Sequence, residues 1–311
     1  SSNKYVAMRA GQISLETQYV LNKFNVKYPN YISDVRPQIS DVEIKHLDGI
    51  PDHISLRNAW SFMKEQKAST LAVTDEGKLV GIISIRDIAT SDMDSLDNRI
   101  ISKAKTPYKN IAETLDGEVL IGNKDDIFEE GKVLIAAANP DRLEGFVEKG
   151  DMVLVGDRYE SQLCALELDA GCLIVCVDAP VAKTIQKLAL DKGCTIITTP
   201  HDTYTVARLI NHSMPVKYFM TTENLITFKN DAFAEDVKKE MAQVRFRDFP
   251  IVDKSGIYKG MFSRRLLLGL EKKKVILVDH NEKTQAVDGI EDAEILEIID
   301  HHRIGNIETI D

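Results

Sequence analysis

Two short stretches near the end of this 311-residue chain carry residue types suited to metal and phosphate chemistry. Residues 275–282 read VILVDHNE and residues 294–305 read EILEIIDHHRIG, apolar runs that end in acid and imidazole. Asp279 closes the first, and Asp300, His301 and His302 close the second. Carboxylate oxygens and imidazole nitrogens at successive strand ends form a ligand set suited to Mn²⁺, Co²⁺ or Mg²⁺, ions that can bridge phosphate oxygens. The competing explanation is that these acids and histidines satisfy one another. A second group could hold an anion without metal: Arg245, Arg247, Lys259, Arg264 and Arg265 fall within one short span, with Ser263, Phe249 and Tyr258 beside them. Guanidinium groups bind phosphate through charge-assisted hydrogen bonds, and an aromatic ring can stack on or wall a planar base. The plain alternative is a solvated charged face. A third motif, Ser84-Ile85-Arg86-Asp87, taken alone reads as the cap of a helix, the hydroxyl meeting the first amides and the acid lying in the first turn.

The elements that must position these residues follow from pattern. The run KLVGIISIRD at residues 78–87 recurs as YKGMFSRRL at residues 258–266, and Met63, Val73 and Asp75 match Met241, Ile251 and Asp253 at one constant offset. Each copy predicts helix, strand, turn, strand, helix, with helices over 55–67 and 231–244 and strands over 70–75, 79–84, 249–253 and 258–263. In the first copy the helical spacing buries Leu56, Ala59, Trp60 and Met63. Between the copies the pattern alternates: strands over 133–138, 152–156, 172–177 and 195–198, helices over 160–169, 180–192 and 204–209. That alternation predicts an α/β layer with parallel strands. The runs holding Asp279 and Asp300 predict buried strands, whose carboxyl ends are where open α/β sheets place ligands. At the other end of the chain, Ser14 caps a helix whose apolar face includes Leu15, Tyr19 and Phe24.

Composition narrows the partners. With 49 acidic and 39 basic residues the formal net charge is −10, which argues against a nucleic-acid partner but not against a small anion. The length points to more than one domain. Four cysteines, Cys164, Cys172, Cys176 and Cys194, form no C-x-x-C pair and read as buried reduced thiols. No apolar run approaches about 20 residues, so no membrane span is expected, and the compartment expected is the cytoplasm.

Both copies of the repeat resemble CBS domains. One such unit buries little core alone, so a pair packs together. The resemblance implies adenosine nucleotides bound in clefts between copies, with Ser84 and Asp87 at ribose and phosphate. In the second copy Leu266 replaces the acid, and Arg264 and Arg265 compensate on the phosphate side. The span between the copies resembles a DRTGG domain through GDRYESQLCALELDAG at 156–171 and TTPHDTYTVARLI at 198–210. It departs at Val177-Asp178-Ala179-Pro180, where that family has TGG. A role as spacer and dimer contact is expected of it.

The two acid-imidazole runs, together with YVAMRAGQISLETQYVLNKF at 5–24, resemble the DHH domain of family II inorganic pyrophosphatases. By that resemblance Asp279 and His301 are metal ligands and His302 faces the substrate. The family's H-x-P-D-x-D segment and its C-terminal DHHA2 domain have no counterpart here, so this chain alone is expected to be inactive. The whole arrangement resembles the nucleotide-regulated subclass of that family. The expected fold is mixed α/β and α+β: a CBS pair, each a small sheet with helices, split by an α/β DRTGG domain and flanked by pieces of an α/β DHH domain. The expected boundaries are 1–34 for the first DHH piece, 35–97 for the first CBS unit, 98–212 for DRTGG, 213–272 for the second CBS unit and 273–311 for the second DHH piece. The function implied is adenine-nucleotide control of an inorganic diphosphatase that uses Mn²⁺, Co²⁺ or Mg²⁺. AMP or ADP inhibits, ATP or a diadenosine polyphosphate activates, and the protein is a homodimer. Serine and arginines around 263–265, with Arg247, Phe249 and Tyr258, are expected to build the principal nucleotide site. Two alternatives remain: a stand-alone CBS nucleotide sensor, or a DHH phosphodiesterase acting on another phosphoanhydride or phosphodiester.

Overall fold

In the computed structural model, which describes residues 5–93, 96–244, 246–279 and 286–301, both copies of the repeat take the predicted form. In the first, Ser55 caps the helix Leu56–Glu65 by accepting from the Asn58 amide at 3.1 Å, and strands Thr70–Asp75 and Lys78–Ser84 pair antiparallel. In the second, the helix is Ala234–Ala242 and the strands are Asp248–Val252 and Tyr258–Ser263, with Phe228–Lys229 added at the sheet edge. Leu56, Ala59 and Met63 are buried as their spacing requires. Trp60 is not: it is 40% exposed and lines a shallow apolar cleft with Ile85 and Ile88. Its ring falls at the margin of the apolar stripe, next to solvent.

The chain divides into two bodies: residues 46–226 with 255–259, and residues 1–45 with 227–254 and 260–311. The larger body contains a five-stranded sheet in which Val133–Ile135, Met152–Val155, Cys172–Val175 and Thr195–Thr198 run parallel in chain order. A fifth strand, Glu118–Ile121, adds antiparallel to Thr195–Thr198 and was not anticipated from the pattern. Both faces of the parallel strands are apolar, as a doubly covered sheet demands. Val153, Val155, Leu173, Val175 and Ile196 meet the helices Tyr159–Glu167 and Lys183–Lys192 on one side. On the other, Met152, Leu154, Cys172 and Ile174 join Leu56, Met63, Leu71 and Ile83, so the first repeat and the insert share one continuous core. All four cysteines are buried and free. The expected helix over 180–192 starts only at Lys183.

In the smaller body the strands Lys274–Val278 and Glu294–Ile299 pair in parallel over a small core of Val35, Leu277, Ile290 and Ile295. The helix Leu15–Lys23 is capped by Ser14 as expected, yet none of its residues is buried; Leu15, Tyr19 and Phe24 are exposed. Among the described residues no helix is long and apolar enough to cross a membrane.

Candidate functional site

The two parallel strands carry their acids to one edge through a single irregularity of register. Lys274 and Val275 pair with Glu294 and Ile295, whereas Ile276, Leu277 and Val278 pair with Glu297, Ile298 and Ile299. The extra residue on the second strand is a bulge at Leu296, and its effect is to bring Asp279 level with Asp300 rather than with Ile299. Asp279 then leaves the strand at φ +64°, with its amide donating to the Ile299 carbonyl at 2.8 Å. The His301 amide donates to Asp300 Oδ1 at 2.7 Å, and His301 Nδ1 lies 3.1 Å from Asp279 Oδ1. One ligand atom from each of Asp279, Asp300 and His301 lies within 4.8 Å of the others. Two carboxylates and an imidazole fit the hard-to-borderline donor set of Mn²⁺, Co²⁺ or Mg²⁺. The Asp279 and His301 side chains are 66% and 78% exposed, so a substrate has access. Asp300 enters the cluster beside the two residues that the motif match assigned. His302 lies outside the described residues, as does Arg245.

In the larger body, Asp87 caps the backbone and side chain of Ser84. The Ser84 amide and hydroxyl donate to Asp87 Oδ2 at 2.7 and 2.8 Å, at the start of the helix Ile85–Met93. The acid lies in the first turn as the plain reading expects, but the Ser84 hydroxyl meets that carboxylate rather than the first amides. Tyr258, also in this body, is half-buried; its hydroxyl is buried without a hydrogen-bond partner among the described residues, and burial, with Asp48 nearby, pushes its pKa up.

In the smaller body, Ser263 sits at the matching N-cap of the helix Arg264–Leu267 but makes no capping hydrogen bond. Arg264 Nε donates to the Phe246 carbonyl at 2.8 Å, and Nη2 donates to the carbonyls of Met241 and Val244. Met241 lies in the last turn of the helix Ala234–Ala242, and Val244 and Phe246 follow its C-cap Gln243, where a cation is favourable. Arg264 is thus turned toward its own repeat, whereas Arg265 and Arg247 are exposed. Phe249 is 1% exposed, its ring centroid 5.5 Å from that of Phe228. It is a core residue rather than a wall for a base, because it points into the sheet's covered face.

Comparison with known proteins adds to this geometry. The CBS domain family matches residues 39–94 and 216–272, and the DRTGG domain family matches residues 110–213. The chain is 39% identical to a cobalt-dependent inorganic pyrophosphatase of Clostridium perfringens and 32% identical to a probable manganese-dependent inorganic pyrophosphatase of Thermotoga maritima. Each match covers 98% of this chain and 56% of the relative, so the chain spans about half the length of these relatives. Among solved structures, the CBS and DRTGG domains of the regulatory region of the Clostridium perfringens pyrophosphatase, complexed with the activator diadenosine tetraphosphate, align with a TM-score of 0.69 at 34% identity. That alignment covers 73% of this chain and 99% of that one.

Proposed function

Because the chain belongs to the family of inorganic pyrophosphatases whose regulatory region is built from CBS and DRTGG domains, we propose that it is the adenine-nucleotide-binding regulatory region, with adjoining catalytic strands, of a metal-dependent diphosphatase. The reaction is hydrolysis of diphosphate to two phosphates. Residues 1–34 and 273–311 are pieces of its DHH catalytic domain, 35–97 and 213–272 the CBS units, and 98–212 the DRTGG domain. The observation that carries this reading is the cluster of Asp279, Asp300 and His301 at adjacent strand ends, in the same chain as the paired repeats. A divalent cation, when bound, supplies Lewis-acid polarisation of phosphoryl oxygens. The chain's own part is to hold two carboxylates and an imidazole at hydrogen-bonding spacing, with the amide of His301 tied to Asp300. His302, by its motif position, faces the diphosphate.

Regulation needs a nucleotide that binds two arrangements of the protein unequally. AMP or ADP favours the slow one, ATP or a diadenosine polyphosphate the fast one; the activator bound by the Clostridium perfringens region supports the second half of this statement. In the smaller body the nucleotide phosphates pair with Arg265 and Arg247 and the ribose lies near Ser263; in the larger body Ser84 and Asp87 occupy the equivalent position of the first repeat. A cytoplasmic homodimer completes the reading; the partly exposed Trp60, Phe62 and Ile85 of the first repeat are suited to a subunit contact. Titration calorimetry with Mn²⁺ or Co²⁺ tests the metal half. Asp279→Asn and His301→Ala should each weaken binding by about tenfold or more, while leaving diadenosine tetraphosphate affinity unchanged. Metal affinity unchanged in both variants would overturn it.

A further inference from the structure

The smaller body holds a cleft of about 460 Å³ between the helices Ala234–Ala242 and Arg264–Leu267 and the connectors beside them. This is the size of a small-molecule site, for which roughly 300–1,000 Å³ is usual. Two connectors form part of its wall: the segment that leads from residues 1–34 into the first repeat, and the link from the second repeat to the strand ending in Asp279. Arg36 and Pro37 come from one, and Leu268, Leu270 and Lys272 from the other.

The first connector is fastened at each end. The Val35 amide donates to the Asp288 carbonyl at 2.9 Å; further along, the Ile39 amide donates to Ala232 at 3.0 Å and the Ala234 amide to Pro37 at 2.9 Å. Arg36 is the pivot between these ends. Its guanidinium grips Asp34 through Nη2 at 2.7 Å and Nε at 3.0 Å, and lies 3.9 Å over the centre of the Phe233 ring. The second connector is short. Lys272 stands seven positions before Asp279, and Leu268 is 89% exposed.

The charges of the wall select a ligand. Arg36, Lys238, Arg264 and Lys272 outnumber Glu235 and Asp292. Arg36 is committed to Asp34, Arg264 to main-chain carbonyls, and Lys238 lies 3.9 Å from Glu235. Among the described residues, Lys272 has neither an acid nor a carbonyl against it. The remaining lining, including Phe233, Met241, Leu267 and Leu268, is apolar.

We propose that this cleft binds a small amphiphilic anion, an aliphatic or aromatic body with one carboxylate or sulfonate head, the body on Phe233, Leu267 and Leu268 and the head on Lys272. Such a ligand bears on the link 268–272 that leads directly into the strand ending in Asp279. The inference does not rest on the nucleotide reading, since Arg264 alone is common to both and faces its own helix end.

The test uses the full 311-residue chain, with 8-anilinonaphthalene-1-sulfonate as probe and decanoate as competitor. Saturable fluorescence at one probe per chain is expected, displaced by decanoate and not by AMP. Lys272→Glu, a change at an exposed position, should weaken the probe about tenfold or more, as loss of one charge-assisted contact does. Ala242→Trp, on the exposed helix surface of the cleft, should fill it and abolish binding, with near-ultraviolet circular dichroism confirming a native fold. Equal affinity in Lys272→Glu and the unaltered chain, displacement by AMP, or absence of saturable binding would each overturn the proposal.

Discussion

Arg264 and Arg265 are neighbours in sequence, yet their surroundings assign them different work. Arg264 satisfies carbonyls at and just beyond a helix end, so Arg264→Ala leaves Met241, Val244 and Phe246 without that donor. A loss of about 1–3 kcal/mol in urea unfolding is expected. Arg265 is exposed, and Arg265→Ala should change stability by no more than about 0.5 kcal/mol while weakening AMP about tenfold in calorimetry. A stable Arg264→Ala that loses AMP, beside an Arg265→Ala that keeps it, would exchange the two roles. Elsewhere, Asp116 shows what acid should do. His201 Nε2 at 2.9 Å and Arg57 Nη1 at 3.0 Å hold its carboxyl below the ordinary value of 3.8. A depressed carboxylate stabilises the fold above its unfolded pKa, and that contribution is lost as pH falls through the folded value. Because the side chain is 49% exposed, the contribution is about 1 kcal/mol or less. Asp116→Asn should therefore be less stable than the unaltered chain at pH 7 by about that amount, with the gap closing below pH 3.8; a gap independent of pH would exclude the ionic origin. Burial pushes the Cys194 thiol up to about 12 and raises Cys172 as well. Neither should react with iodoacetamide at pH 8 until urea unfolds the chain, as thiol counting by mass spectrometry can show.

Among the elements, the bulge at Leu296 decides whether the acids meet. EILEIID spaces its polar residues three apart rather than alternating them, which does not fix where a bulge falls; the chemistry of Asp279 and His301 was legible, but their registration was not. The repeats were legible for a different reason. Apolar strands flanked by amphipathic helices recur at a nearly constant offset, and local pattern is enough to set them. Local pattern fails where a tertiary neighbour decides. Phe249 reads as an available ring until Phe228 is seen beside it, and Glu118–Ile121 reads as loop until Thr195–Thr198 offers it an edge. The cleft beside Arg36 had no signal in sequence at all, since its walls come from four separated segments. One glycine ties the Arg36 strap to its seat. Gly289 has φ +75°, and a β-carbon there would stand 2.3 Å from Arg36 Cγ and 2.7 Å from Asp34 Oδ1. Gly289→Ala should cost about 1–3 kcal/mol through the strained backbone and the displaced arginine. Thermal unfolding checks this, and an unchanged melting temperature would show that the strap tolerates movement.

At the scale of the molecule, the first repeat shares its core with the DRTGG insert, and the second repeat shares a body with the strands of the metal cluster. The insert is therefore more than a tether, since Leu56, Met63, Met152 and Ile174 leave water together. Removing residues 98–212 should expose that core and unfold the first repeat rather than leave a free CBS pair, which limited proteolysis and circular dichroism can establish. For regulation, a ligand carrying two adenosines on one polyphosphate can engage two sites at once, and linkage of this kind strengthens binding without any new contact. Calorimetric titration of the chain with diadenosine tetraphosphate and with AMP is the most direct measurement. Saturable binding of both, with the dinucleotide tighter by about tenfold or more and weakened by Arg265→Ala, is the result expected of an adenine-nucleotide regulatory region. Failure of both to bind, or a dinucleotide no tighter than AMP and indifferent to Arg265, would contradict it.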